Sequence, residues 1–365
     1  MKTTIIKIEN ANELNKQDII NLEQAAHIIK EGGTVVFPTE TVYGLGACAT
    51  EPEAIRKIFM AKGRPSDNPL IVHISNKKMV EELIKDKNIL EEDSYRKLME
   101  RFWPGPITII FQKNKILCDE ATAGLDTVGI RMPQNPVALK LIELAGQAIA
   151  APSANTSGKP SPTTAEHVIE DLDGKVDVII DAGVCDVGVE STVLDMTCET
   201  PVILRPGGVN RESIEETLGM EVLMAKDIKD NIESLFIEKF IPKAPGMKYK
   251  HYAPKGKLVV FFGDDESVAK KINEMAEISM VNNEKPIILA TKQTICYYVD
   301  KNSIMWGDRE RPETFAKNLY SVLRYCDVQG ADVIFTEAVS NKGIGEAVMN
   351  RLLKAAGYMV VDLRK

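Results

Sequence analysis

The sequence predicts an α/β protein in two domains, and three observations carry that prediction. Short apolar runs bounded by glycine or proline alternate with segments of helical apolar spacing, first over residues 18–218 and again over 257–356. Between them, residues 225–256 lose periodicity and end in Ala244-Pro245-Gly246-Met247-Lys248-Tyr249-Lys250-His251-Tyr252-Ala253-Pro254, which suits neither helix nor strand. The length of 365 residues fits about two domains, each with room for a core. The expected division is a first domain over 1–224, a linker or lid over 225–256 and a smaller α/β domain over 257–365.

Ile19, Leu22, Ala25, Ala26 and Ile29 recur at helical spacing, and Gly32-Gly33 ends that helix. Thr34 to Phe37 reads as a buried strand, followed by the hydroxyl-rich loop Pro38-Thr39-Glu40-Thr41-Val42-Tyr43-Gly44-Leu45-Gly46. Thr50-x-x-Glu53 around Pro52 predicts a capping box opening a helix that Gly63 stops. Lys62 and Arg64 close that helix, a turn runs from Pro65 to Pro69, and Leu70 to Ile74 reads as a buried strand. Helices follow over 77–85 and 94–101, broken by Trp103-Pro104-Gly105-Pro106. Strands are expected over 107–111 and 127–132, then a helix from Pro136 to Gly146 and a strand over 148–151. A second polar loop, Pro152 to Ser161, precedes a helix capped near Thr163, with Glu166 completing another box. Strands over 176–180, 189–194 and 201–204 and a helix over 210–218 complete the first domain. The smaller domain alternates strands at 257–262, 286–290 and 332–336 with helices at 266–278, 313–326 and 344–356.

Hydrophobic residues at 44% and charged residues at 27% describe an ordinary soluble protein. A net charge of −8 argues against broad attraction to nucleic acid or anionic membrane and leaves room for a local basic pocket. None of the six cysteines forms a Cys-x-x-Cys pair, and none of the four histidines stands at metal-ligand spacing. Free thiols in a reducing cytosol and no protein metal site are expected. Residues 1–7 contain no long apolar run, so neither a signal peptide nor a membrane span is read there.

Generic nucleotide motifs fail. Ser157-Gly158-Lys159-Pro160-Ser161 lacks the first glycine of a P-loop and has proline where Ser or Thr is needed; Gly44-x-Gly46 lacks its third glycine. What remains is a set of loops bearing cations (Lys62, Arg64, Arg131, Arg205) and hydroxyl or amide groups (Thr39, Thr41, Asn68, Ser153, Asn155, Ser161, Ser191). They offer no obvious Ser-His-Asp triad. Such loops suit a reaction in which the protein positions and neutralises phosphate while the substrates supply the nucleophile. The plainer readings are structural. Lys62 and Arg64 suit a helix C-terminus, His73 between Val72 and Ile74 suits a core, and Ser153 and Asn155 suit turns and caps. Arg131 suits a structural ion pair and Arg205 a turn.

The Pro38–Gly46 stretch, Lys62-x-Arg64 with Asn68-Pro69-Leu70, and Ala151-Pro152-Ser153-Ala154-Asn155 resemble the threonylcarbamoyl-AMP synthase family with a YrdC-like domain. Trp103-Pro104-Gly105-Pro106, Arg131-Met132-Pro133, Glu190-Ser191-Thr192 and Leu204-Arg205-Pro206-Gly207 extend the likeness. The 245–254 motif and the extra domain resemble the long, two-domain form.

The resemblance implies a YrdC-like twisted mixed sheet around a positive cavity, plus a smaller Rossmann-like α/β domain. It implies synthesis of threonylcarbamoyl-AMP and pyrophosphate from L-threonine, bicarbonate and ATP, with magnesium. The product then serves threonylcarbamoyl transfer to adenosine beside the anticodon of tRNA. By the resemblance, Arg64, Asn68, Thr127, Ser153, Asn155, Ser161, Arg205 and Tyr249 take the nucleotide. Thr41, His73, Arg131, Ala151 and Ser191 take threonine, and Lys62, Arg64 and Arg205 offset phosphate charge. A cytoplasmic location, no membrane and no stable nucleic-acid binding are expected. Two other classes stay open: an RNA-binding module using the basic cavity and the linker, and a stand-alone nucleotide sensor.

Overall fold

A computed structural model describes residues 2–225, 252–298 and 302–364. The described residues form two compact units. The first comprises 2–157, 162–186 and 190–225; the second comprises Gly158–Ser161, Val187–Val189, 252–298 and 302–364. The linker expected over 225–256 therefore lies mostly outside the described residues, and its last residues, 252–256, belong to the second unit.

The first unit is built on β1 (Thr4–Lys7), β2 (Val35–Phe37), β3 (Gly44–Cys48), β4 (Ile71–His73), β5 (Ile107–Gln112), β6 (Thr127–Arg131), β7 (Ile149–Ala151), β8 (Val178–Asp181), β9 (Thr192–Asp195), β10 (Val202–Arg205) and β11 (Leu223–Met224). Their order is β1-β8-β2-β3-β7-β4-β6-β5-β9-β10-β11. The sheet is mixed: β4 runs parallel to β6 and antiparallel to β7, while β5 runs antiparallel to β6 and parallel to β9. Apolar side chains alternate between two faces. Val36, Val72, Ala150 and Ile130 pack on one side with helices Pro52–Lys62, Asp93–Phe102 and Ala165–Leu172. Phe37, Ile149, Ala151 and Ile180 pack on the other with helices Lys16–Lys30 and Pro136–Ala145. Beyond β4 this second apolar cluster stops, and only a small patch of Ile110, Val193 and Leu204 remains. The polar loops gather where that helix cover ends.

The predicted elements recur with local differences. Thr50 and Glu53 form no capping box; helix Pro52–Lys62 starts after Glu51 without a side-chain cap. Proline at the first position already removes one of the unpaired donors that a cap would serve. Gly63 closes that helix in the left-handed conformation, at φ 59°, as its lack of a Cβ allows. The second box also shifts: Thr164, not Thr163, caps helix Ala165–Leu172. The last third of the expected loop 38–46 belongs to strand β3, because Gly44 to Gly46 pairs with β2 and the strand continues through Ala47–Cys48 against β7.

The second unit carries a parallel sheet of β12 (Lys257–Phe262), β13 (Pro286–Thr291), β14 (Ser303–Gly307), β15 (Val333–Glu337) and β16 (Val360–Asp362), ordered β14-β13-β15-β12-β16. Helices Asp265–Val281, Glu313–Val328 and Ile344–Ala355 connect these strands. Phe261, Ile272, Ile288 and Phe335 lie at its core.

Candidate functional site

β4 organises the site because polar groups converge on both of its ends. At the amino end, Lys62 is buried at 2% exposure. Its ammonium donates to the carbonyls of Ser153 and Asn155, the latter at 2.5 Å. The Ser153 hydroxyl donates to Asn155 Oδ1 at 2.5 Å, and the Lys62 carbonyl accepts from Ser157 N at 2.9 Å. A charged donor on two loop carbonyls is a strong local clamp, so Lys62 fixes the second polar loop against the end of helix Pro52–Lys62. Arg64 Nη2 donates to the carbonyl of Asn68 at 3.2 Å. Asn68 is 1% exposed, and its Oδ1 accepts no hydrogen bond among the described residues. A buried amide oxygen left in that state costs roughly 1–3 kcal/mol until a donor arrives. Thr127 opens β6 two residues before Gly129, the register partner of Ile71, and so lies toward this end.

At the carboxyl end, His73 and Arg131 are register partners on β4 and β6, and paired residues share a face of the sheet. Both are 4% exposed. The His73 ring meets Phe37 edge-on at 5.9 Å, and its Nδ1 has no hydrogen-bond partner among the described residues. Burial, and then the charge of Arg131, hold the His73 pKa down at about 3, so the imidazole is neutral at pH 7. Arg131 Nε donates to the Gly105 carbonyl at 3.3 Å, and Nη2 lies 2.7 Å from Glu40 Oε1. Glu40 comes from the β2–β3 loop, which Thr39 shapes. The Thr39 hydroxyl accepts from the amides of Thr41 and Val42, and pairs with the Thr41 hydroxyl at 2.8 Å.

Further along the same edge, the buried Ser191 hydroxyl lies 2.8 Å from that of Thr108 and accepts from Arg205 Nη2 at 3.2 Å. Arg205 also donates to the Ser191 carbonyl through Nε at 3.2 Å and Nη2 at 2.9 Å. Gly129 lies on the same face as Arg131, two residues before it. A Cβ there would sit 2.9 Å from Thr108 Cγ2, so glycine permits the approach of β5.

The structure thus divides the expected residues. Lys62, Arg64, Asn68, Thr127, Ser153 and Asn155 gather at one end of β4; Thr41, His73, Arg131 and Ser191 gather toward the other. Ala151 is the register partner of Ile71 between them. The ends are separated by four to five residues, roughly 13–16 Å of extended chain. Arg205, expected with the nucleotide cations, is anchored on Ser191 four strands from β4. Ser161 is fully buried and belongs to the second unit. Tyr249 lies outside the described residues.

Two buried polar residues escaped the sequence reading. Glu40 stood inside the quoted Pro38–Gly46 stretch, but nothing in one dimension joined it to Arg131. Thr108 was hidden in an apolar strand and gave no signal at all. Among the described residues no group of three His, Cys, Asp or Glu side chains is placed to hold a metal ion, and no helix is long and apolar enough to cross a membrane.

Two family models match the chain. Residues 27–207 match the family described as telomere recombination, and 209–357 match the threonylcarbamoyl-AMP synthase C-terminal domain. The threonylcarbamoyl-AMP synthase of Pyrococcus abyssi is 46% identical over 340 residues, 93% of this chain and 95% of that protein. That of Bacillus subtilis is 44% identical over 362 residues, 99% of this chain and all of that protein. A crystal structure of P. abyssi Sua5 complexed with L-threonine superposes with a TM-score of 0.88 at 43% identity, covering 99% of this chain and 100% of that one. With both family models matched in order and relatives aligned along nearly the whole length, the chain belongs to the threonylcarbamoyl-AMP synthase family in its two-domain form, a YrdC-like domain followed by the family's C-terminal domain.

Proposed function

We propose that the protein condenses L-threonine, bicarbonate and ATP to threonylcarbamoyl-AMP and pyrophosphate, and that a tRNA threonylcarbamoyl-transfer machinery consumes the product in the cytoplasm. The observation that carries this reading is the pairing of His73 with Arg131 across β4 and β6, one strand-length from the Lys62 clamp. It offers an amino-acid end and a phosphate end on one sheet, and relatives named threonylcarbamoyl-AMP synthase support it.

At the amino-acid end, Arg131 receives the threonine carboxylate through its planar fork. Neutral His73, with Thr41 and Ser191, pairs with the amine and hydroxyl. Valine, lacking the hydroxyl, would leave those buried groups unpaired and be rejected. At the phosphate end, the amide oxygen of Asn68, the hydroxyls of Ser153 and Thr127 and the Arg64 guanidinium hold the nucleotide. Asn155 completes its contacts within the first unit. Lys62 acts through the loop it clamps, presenting Ser153 and Asn155. Arg205, keyed to Ser191, offsets charge as pyrophosphate leaves.

The threonine amine adds to the bicarbonate carbon and water leaves, giving a carbamate that attacks the α-phosphate in line. A carbamate oxygen–phosphorus bond forms, the α–β bridging oxygen leaves with pyrophosphate, and no covalent enzyme intermediate is needed. Among the described residues the donor set does not fit a protein-held magnesium ion.

The test is pyrophosphate release from ATP with each substrate withheld in turn. Release that needs threonine and bicarbonate together supports the synthase. ATP binding with no threonine requirement would favour a sensor, and salt-dependent RNA affinity without turnover would favour a binding module.

A further inference from the structure

Glu40 is a carboxylate 4% exposed, held by a loop whose turn is tied by the Thr39 hydroxyl. One of its oxygens lies 2.7 Å from Arg131 Nη2, and the other accepts from the amide of Gln134 at 3.0 Å, just past the end of β6. The carboxylate therefore spans the turn that follows Arg131 and engages one side of the guanidinium. The Gly105 carbonyl takes Nε. Among the described residues Nη1 makes no hydrogen bond. A buried arginine in this position faces two anionic ligands of very different charge, an amino-acid carboxylate and a triphosphate. An unneutralised fork binds phosphate at least as well as carboxylate.

We infer that Glu40 is a specificity-determining residue: by neutralising Arg131 and leaving one edge of its fork available, it makes this end of the site accept a monocarboxylate and refuse phosphate. The inference rests on the functional reading above. Removing the charge of Glu40 while keeping its shape should leave a bare guanidinium that captures phosphate where threonine belongs. Because a glutamine has one acceptor oxygen instead of two, it also loses either the Arg131 or the Gln134 contact. Threonine binding then weakens on geometric grounds too.

Calorimetric titration of threonine into the full chain, with and without saturating inorganic pyrophosphate, tests this. In the unaltered protein the threonine dissociation constant should change by less than about twofold when pyrophosphate is present. In Glu40→Gln, pyrophosphate should weaken threonine binding by about tenfold or more. In Glu40→Asp, which keeps the charge, it should not, even if threonine binds less tightly. An unchanged pyrophosphate effect in Glu40→Gln overturns the inference. So does strong mutual exclusion in the unaltered protein, which decides the matter even if Glu40→Gln fails to fold. An unaltered protein that binds no threonine overturns the functional reading instead.

Discussion

The first unit and the second each set a buried glutamate beside an arginine at the end of a sheet, Arg131 buried in the first and Arg309 exposed in the second, and the two clusters are built to opposite ends. In the second unit everything closes on Glu337, at the carboxyl end of β15 and 3% exposed. It accepts from the hydroxyls of Thr294, Thr291 (3.4 Å) and Tyr298 (2.8 Å), and pairs with Arg309 Nη2 at 2.6 Å. Arg309 in turn pairs with Asp265 at 2.7 Å. Burial, then the neighbouring Glu337 charge, push the Tyr298 hydroxyl pKa upward, so it remains a donor. In the first unit the Arg131–Glu40 pair lies on the same edge as His73 Nδ1, which has no hydrogen-bond partner among the described residues. Position at the carboxyl ends of parallel strands, where ligands commonly bind, does not by itself separate the two. Saturation does: a network whose groups satisfy each other holds a fold, and one with unsatisfied buried acceptors awaits something else.

The largest effect expected from breaking this contrast is at Arg131. Arg131→Ala leaves Glu40 buried and unpaired, costing about 3–5 kcal/mol in denaturant unfolding, and should cut turnover at low threonine by roughly 100-fold or more. Adding Glu40→Gln should restore much of the stability and none of the threonine use. Recovery of threonine use in the double variant would contradict the assignment. Next comes Glu337→Ala, which removes the acceptor shared by the Tyr298, Thr291 and Thr294 hydroxyls while Arg309 keeps Asp265; it should cost roughly 1–3 kcal/mol, with kinetic constants per folded molecule unaltered. Normal stability with lost turnover would make that cluster a functional site and dissolve the comparison.

A third and smaller effect concerns pH. His73 has a folded pKa of about 3 against an ordinary 6.5, so the unfolded chain binds the extra proton between those values. Stability is then complete above about pH 6.5 and falls as pH drops toward 3, by about 2 kcal/mol at pH 5. His73→Gln should flatten that part of the stability–pH curve; an identical slope would show that the imidazole is already protonated in the fold. The smallest effect is expected at Gly129→Ala. The Thr108 methyl at 2.9 Å must give way, costing roughly 1–2 kcal/mol. Because Thr108 carries the Ser191 hydroxyl, threonine should bind more weakly. Restoration of threonine binding by Thr108→Ser alongside it would place the clash at the methyl.

Much of this architecture was legible in one dimension. Gly63 stopping a helix, Leu70–Ile74 as a strand and the second alternating domain follow from local rules: apolar period, backbone freedom and proline placement. The two capping boxes failed because Pro52 and Thr164 supplied nearer solutions to the same unpaired amides. Lys62 was legible as a cation beside a polar loop. That its charge is spent on the Ser153 and Asn155 carbonyls was not, because those residues lie more than ninety positions away.

By itself the sequence determined which residue types the loops carry, where strands and helices begin, and, through its motifs, the family. Those depend on neighbours within a few residues, where backbone sterics and side-chain period act directly. The tertiary structure decided how the cations are apportioned: Lys62 to a loop, Arg131 to Glu40, Arg205 to Ser191. Strand order and register bring distant segments into contact, and a charge in a buried site takes its meaning from whatever partner that contact supplies.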